Sequence, residues 1–304
     1  MNALTIKGLR KTYKTGVEAV KDIDLEIKEG DFFGLLGPNG AGKTTIIGII
    51  TGLVNKTSGT VKVFDKDIDE AFDEAKRLIG VVPQEMNFSI FEKVWDIVCN
   101  QGGYYGIPRH VVKQRTIALL KQLGLWDKRF TVARTLSGGM KRRLMIARGL
   151  IHEPKLLILD EPTAGVDVEL RRGMWEFLEK ISGNGTTIIL TTHYLEEAEQ
   201  LCNNIAIIHQ GKIIENSSKK ELIGRLDKQS YILDLKETLT SVPPLKDHAI
   251  KKIDETTIEV ELHRNQDISR VFKHLHEHNI KILSLRNKTN RLEELFLDLV
   301  EGGP

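Results

Sequence analysis

The stretch Gly37-Pro38-Asn39-Gly40-Ala41-Gly42-Lys43-Thr44 constrains this chain more than any other. It fits the pattern GxxxxGK[ST]. It follows the almost wholly apolar run DFFGLLG at 31–37 and opens the helical pattern KTTIIGIITGL at 43–53. An apolar run of that kind predicts a strand covered on both faces. A strand, a glycine-rich turn and a helix, in that order, are what a phosphate-binding loop requires. The glycines let the backbone curl so that successive N–H groups form an anion nest, and the helix start adds positive partial charge. Lys43 is then placed to reach the β- and γ-phosphates of a nucleotide, and the Thr44 hydroxyl to ligate Mg²⁺, with Thr45 beside it in the first helical turn. A glycine-rich turn matching by chance is the plain alternative, and the flanking strand and helix argue against it.

A second element fits the first. Lys155-Leu156-Leu157-Ile158-Leu159-Asp160-Glu161 is an apolar strand ending in two carboxylates. A buried strand delivers such groups to the C-terminal edge of a sheet, where open α/β folds bind ligands. Asp160 is the candidate Mg²⁺-side acid, and Glu161 the group that polarises the attacking water. Alone, an acid pair after a strand is usually a solvated strand end; beside a phosphate loop the catalytic reading is favoured. The run TTIILTT at 186–192 predicts another buried strand, next to that of Asp160, and His193 follows it. A lone His there is commonly structural. Here its ring would come within reach of a γ-phosphate and could hydrogen-bond developing charge.

The rest of the chain fits this frame. Leu4 and Ile6, then Ile23, Leu25 and Ile27, alternate with polar residues as half-buried antiparallel strands do. From about 88 to 150 apolar residues recur at helical spacing. Strands and helices then alternate, as in a parallel sheet with crossover helices. Residues 205–215 look like a hairpin turning at Gln210-Gly211. Composition shifts near 225, and 225–304 reads as a separate small α+β domain. The expected division is 1–224 and 225–304, with a helical subdomain at about 88–150. Histidines 274, 276 and 278 are spaced by two on a predicted helix, which spreads them around it rather than gathering them on a metal.

Lys and Arg number 44 against 42 Asp and Glu, a formal charge of +2. That balance disfavours a chain built mainly to grip nucleic-acid phosphates. Cys99 and Cys202 lie far apart without zinc-ligand spacing, which fits a reducing compartment. No apolar run approaches the roughly 18 residues of a spanning helix, and the first residues lack a signal peptide's apolar block. Action on a membrane would need a second chain to supply the span.

At Leu136-Ser137-Gly138-Gly139-Met140 the chain resembles the signature motif of ABC-type ATPases. Ser137 is also a good N-cap, and Gly138-Gly139 expose N–H groups at a helix start. Further elements of that superfamily follow in order. Tyr13 resembles the aromatic residue that stacks on adenine. Gln84, in VVPQE, resembles the loop glutamine that touches Mg²⁺ and contacts the transmembrane partner. Asp167, in AGVD, resembles the residue of the loop that crosses the dimer interface. His193, in TTHYLEEAE, resembles the switch histidine. Met140 stands where Gln is usual, which leaves the backbone donors and the Ser137 hydroxyl unaffected. The likeness covers about 1–220. It is strongest to ATP-binding subunits of bacterial ABC-2-type exporters and runs on into RNKTNRLEELF.

The resemblance implies a P-loop NTPase fold with antiparallel β and helical subdomains. It implies ATP with Mg²⁺ as ligands, and a homodimer that sandwiches two ATP, each against the partner's Ser137, Gly138 and Gly139. It further implies a separate multi-span transmembrane permease, no direct nucleic-acid partner, and a peripheral position on the cytoplasmic face of the inner membrane. The rival reading is a soluble ABC ATPase acting on ribosomes or nucleic acid. It is disfavoured by the single cassette and by the short stretch between Lys43 and Ser137, which leaves no room for a long coiled coil. Lys141, Arg142, Arg143 and Arg148 read as a solvated helix face making salt bridges between subunits.

Overall fold

The computed structural model describes the chain apart from residues 164–165, 167, 226–227, 240, 246–247, 264–265, 289–290 and 302–304. It divides into two compact units, Met1–Ser218 and Lys219–Pro304.

The first unit opens with β1 (Asn2–Thr12) and β2 (Glu18–Lys28), paired antiparallel. Their alternation buries Leu4, Ile6, Ile23, Leu25 and Ile27 on one face. β3 (Phe32–Leu36) is buried at every position, and α1 (Lys43–Ile50) follows the glycine-rich loop. β4 (Ser58–Val63), β5 (Lys66–Asp67), α2 (Phe72–Leu78) and β6 (Ile79–Val82) come next. These short elements carry too few residues for periodicity to mark them. α3 (Val94–Tyr104), α4 (Arg109–Gln122) and α5 (Gly138–Leu150) form the helical stretch. β7 (Leu156–Asp160), α6 (Val168–Gly183), β8 (Thr187–Thr192), α7 (Leu195–Leu201), β9 (Asn204–His209) and β10 (Lys212–Ser218) complete it.

Two sheets result. One is antiparallel with order β2-β1-β4-β5; the other has order β10-β9-β3-β8-β7-β6. In the second sheet β9, β3, β8, β7 and β6 run parallel, and only β10 is antiparallel. α1 is packed in one core with both sheets: Ile46, Ile47, Ile49 and Ile50 share a cluster with Leu4, Ile6, Phe33, Leu35, Ile158 and Ile189. The β9–β10 hairpin turns at Gln210 and Gly211, with φ of 48° and 81°. Two consecutive positive values suit a tight turn whose twist matches the strands.

The parallel order matters for function. Residues that follow β3, β6, β7 and β8 all emerge at the C-terminal edge of one sheet, where open sheets bind ligands. Those residues are the glycine-rich loop, Gln84, Glu161 and His193.

The second unit contains α8 (Lys219–Gly224), β11 (Lys228–Leu235), β12 (Ala249–Lys252), β13 (Thr257–His263), α9 (Ile268–Glu277), β14 (Ile282–Asn287) and α10 (Arg291–Glu301). It is an antiparallel sheet of order β12-β13-β11-β14, with Leu233, Leu235, Ile258, Val260 and Leu262 packed under Val271 and Leu275 of α9. The division falls before Lys219 rather than near 225 because α8 packs against α10. Among the described residues no helix is long and apolar enough to cross a membrane.

Candidate functional site

The loop between β3 and α1 is held tight. A Cβ on Gly37 would sit 2.3 Å from the Ile208 carbonyl, and one on Gly42, at φ 116°, 2.7 Å from the Ala19 carbonyl. Only glycine allows that approach. Gly40 is also left-handed, at φ 79°. Lys43, 6% exposed, donates from Nζ to the carbonyls of Gly37 at 2.6 Å and Pro38 at 3.1 Å. Its ammonium therefore crosses the mouth of the nest. Burial pushes the Lys43 pKa down, opposed by the fields of Glu161 and Asp160.

A cleft of about 140 Å³ opens over this loop. Asn39, Gly40, Ala41, Gly42, Lys43, Thr44 and Thr45 line it from one side; Gln84, Asp160 and Glu161 line it from the other. Asp160 Oδ1 accepts the Thr191 hydroxyl of the neighbouring strand β8. Glu161 turns away from Asp160 because its backbone is left-handed, φ 48°, with its N–H on Thr191 O at 3.0 Å. Such strain in a non-glycine residue persists only where surrounding contacts impose it. Both oxygens of Glu161 are engaged. Oε2 accepts Gln84 Nε2 at 2.9 Å, and Oε1 lies 3.1 Å from His193 Nδ1.

Tyr13 reaches the same loop: its hydroxyl is 3.2 Å from Thr45 Oγ1, and Lys11 Nζ stands 4.9 Å over its ring. Ser137 caps α5, accepting Met140 N at 3.3 Å. Gly138 is open on its Cβ side, whereas Gly139 is packed against Leu170. Ser137, Gly138 and Gly139 are not among the residues lining the cleft. Asp167 lies outside the described residues.

The donor set suits Mg²⁺. Thr44, Gln84 and Asp160 present hard oxygens around one cleft, and among the described residues no cluster of three His, Cys, Asp or Glu could cage a metal. Mg²⁺ is typically held in this way, by one or two protein oxygens together with phosphates and water.

The basic cluster of α5 needs correction. Arg142 is 5% exposed and donates to the carbonyls of Pro83 and Gln84; Arg143 donates to Leu123 O, and Arg148 to Asn87 O. These arginines bind neighbouring backbone within the chain and do not form a solvated face. Spacing carried the signal: Arg142 lies three residues after buried Gly139 and three before buried Met145. Glu197 is a second residue the sequence reading missed. It is fully buried and accepts Trp175 Nε1 at 3.1 Å, with the side chains of Thr192 and Thr163 beside it. Its place on the same helical stripe as buried Ala198 and Leu201 was the available sign.

Residues 20–164 match the ABC transporter family profile. Over 304 residues the chain is 35% identical to the linearmycin resistance ATP-binding protein of Bacillus subtilis, covering 97% of each. This chain belongs to the ABC transporter family, as an ATP-binding protein. It is also 41% identical over 224 residues to the Nod factor export ATP-binding protein I of Cupriavidus pinatubonensis, covering 72% of this chain and 67% of that one. Among solved structures, cbiO1 of Clostridium perfringens, part of the transporter complex cbiONQ, superposes with a TM-score of 0.68 at 30% identity, over 74% of this chain and 91% of that one. The cassette MJ0796 in a dimeric post-hydrolysis state bound to ADP and Pi gives 0.65 at 27%, over 71% and 98%. The chain is thus an ATPase with the P-loop fold of ABC cassettes.

Proposed function

We propose that this ABC protein is the ATP-hydrolysing subunit of a two-component exporter of the ABC-2 type, acting as a head-to-tail homodimer. The observation that carries the reading is the convergence of Gln84 and His193 on the two oxygens of Glu161, at the edge of the cleft that holds Lys43, Thr44 and Asp160. In this reading Lys43 and the loop N–H groups bind the β- and γ-phosphates. Glu161 takes the proton of the attacking water, and His193 and Gln84 orient Glu161 and the γ-phosphate. Bound Mg²⁺, held by Thr44 and Asp160 with Gln84 near, would neutralise charge building on the phosphates. Tyr13 stacks on adenine.

The homodimer rests on size and placement. A cleft of about 140 Å³ is below the roughly 300–1,000 Å³ usual for ligand pockets. It takes the phosphates; with adenine against Tyr13, one side of the nucleotide is left uncovered for a second surface. Ser137, Gly138 and Gly139 stand outside the cleft at a helix start, a surface suited to the partner's ATP. Near Gln84 the exposed Met86, Ile90 and Phe91, the last 72% exposed, offer an apolar face to a membrane subunit. The export direction is taken from relatives named for resistance and for Nod factor export. The protein would then sit peripherally on the cytoplasmic face of the inner membrane.

Tagged Glu161→Gln chain, extracted from its own cells in mild detergent with ATP and Mg²⁺, tests this. A multi-span membrane protein in stoichiometric amount is expected. Ribosomal proteins or nucleic acid with no membrane protein would overturn the reading.

A further inference from the structure

The segment 83–91, between β6 and α3, has no regular secondary structure, so its carbonyls need partners from elsewhere. Two arginines of one helix supply those of Pro83, Gln84 and Asn87. Arg142 donates from Nη1 to Pro83 O at 2.8 Å and from Nη2 to Gln84 O at 3.0 Å. Arg148, further along α5, donates from Nη1 to Asn87 O at 2.9 Å, and its Nη2 meets the Asn87 side-chain oxygen. Both guanidinium forks thus grip one short segment from one helix. Charge-assisted hydrogen bonds are about twice as strong as neutral ones, and a planar fork loses little entropy per bond. Burial pushes the pKa of the Arg142 guanidinium down, opposed by the negative fields of Asp160, Glu161 and Glu197.

From this grip a continuous set of contacts runs across the protein. Ser137 caps the start of α5, Arg142 lies within the same helix, Arg142 holds the backbone of Gln84, and the Gln84 amide bonds Glu161. We propose that Arg142 and Arg148 are positioning residues that lash segment 83–87 to α5, so that loop and helix move as one body and Gln84 is presented to Glu161. The proposal rests on the reading of Glu161 as the base. It goes further in making the helix start that faces a partner's nucleotide and the group that orients this chain's own carboxylate a single mechanical piece. A push on the exposed side chains of Met86, Ile90 or Phe91 would then be felt at Ser137.

The test uses the purified full chain as wild type, Arg142→Met, Arg142→Lys, Gln84→Ala and the double variant Gln84→Ala/Arg142→Met. Two readouts are taken: steady-state ATPase, and the rate at which a glutamate-specific protease cuts after exposed Glu85 in the gripped segment. Arg142→Met is expected to lower kcat about tenfold or more while leaving KM for ATP within about twofold, since the lost interaction orients rather than binds. Cleavage after Glu85 should quicken by about tenfold relative to cleavage at the chain's other glutamates. Arg142→Lys, with a point charge and no fork, should recover part of both effects. The double variant should be no slower than Gln84→Ala, because Arg142 acts through Gln84. Unchanged cleavage after Glu85, or kcat losses that multiply in the double variant, would overturn the proposal. Should Arg142→Met fail to fold, Arg148→Leu at its less buried position carries the same cleavage test. A wild-type chain without ATPase activity would sink the reading of Glu161 as base, and the cleavage arm would still decide whether the clamp exists.

Discussion

Replacing Glu161 by Gln should separate catalysis from binding. The carboxylate accepts Gln84 Nε2 at 2.9 Å, and His193 Nδ1 lies 3.1 Å from its other oxygen. An amide of the same shape offers one oxygen in place of two, so either the Gln84 hydrogen bond or the His193 contact is given up. The folded protein then loses about one hydrogen bond, of order 1 kcal/mol. Chemistry loses more, because the amide cannot take a proton from water. A positioned general base contributes about 10²–10⁴ in rate. At ~1.36 kcal/mol per decade that is about 3–5 kcal/mol of barrier. ATP binding should survive, since Lys43, the glycine-rich loop and Tyr13 are untouched. The variant should therefore bind ATP with near wild-type affinity, release phosphate at least about 10²-fold more slowly, and accumulate as a dimer on size-exclusion chromatography with ATP. Turnover within tenfold of wild type would refute the assignment of Glu161 as base. Loss of ATP affinity in step with turnover would refute the separation of roles.

Two further predictions follow from packing and burial. Gly37→Ala would set a Cβ 2.3 Å from a backbone carbonyl that cannot step aside; it should cost about 1–3 kcal/mol or more in a denaturation series and weaken nucleotide binding. Glu197 has its pKa pushed up by burial, opposed by the polar groups of Thr192, Trp175 and Thr163 beside it. Above the ordinary value of 4.5 the unfolded chain has released this proton while the folded chain still holds it. Stability therefore falls as pH rises from there through the raised folded value, and then levels. Glu197→Gln keeps an acceptor for Trp175 and removes that slope. The stability of the variant relative to wild type should rise with pH from about 4.5 upward in denaturant titrations, and a difference that is flat with pH would refute it.

Much of the cleft was legible because the chain punctuates it. Lys43 and Thr44 follow glycines that no other residue could replace, and Asp160, Glu161 and His193 sit at the ends of unbroken apolar strands. Two carboxylates after KLLILD could be placed at a sheet edge without knowing the strand order. The order itself was not readable, since parallel neighbours such as β3 and β8 are separated by most of the unit. Gln84 follows a strand of only four residues, β6, too short for its pattern to stand out; the resemblance, not periodicity, brought it forward. Arg142, Arg148 and Glu197 were hidden for a different reason. Charged residues on a helix are usually solvated, and only tertiary contacts reveal that these three are spent inside the protein. Lys141-Arg142-Arg143 consequently read as a basic surface, when Arg142 is a buried donor.

The central claim is that each ATP is hydrolysed between Lys43 and Glu161 of one chain and Ser137 of another. Mixing two inactive variants tests it most directly. Ser137→Arg blocks the signature surface a chain offers its partner, and Glu161→Gln disables the base in its own cleft. In a head-to-tail pair of one of each, one of the two sites has an intact Glu161 facing an intact Ser137. ATPase activity should therefore return when the two purified variants are mixed, in proportion to the mixed dimer formed. A mixture as inactive as its components, while mixed dimers demonstrably form, would contradict the account.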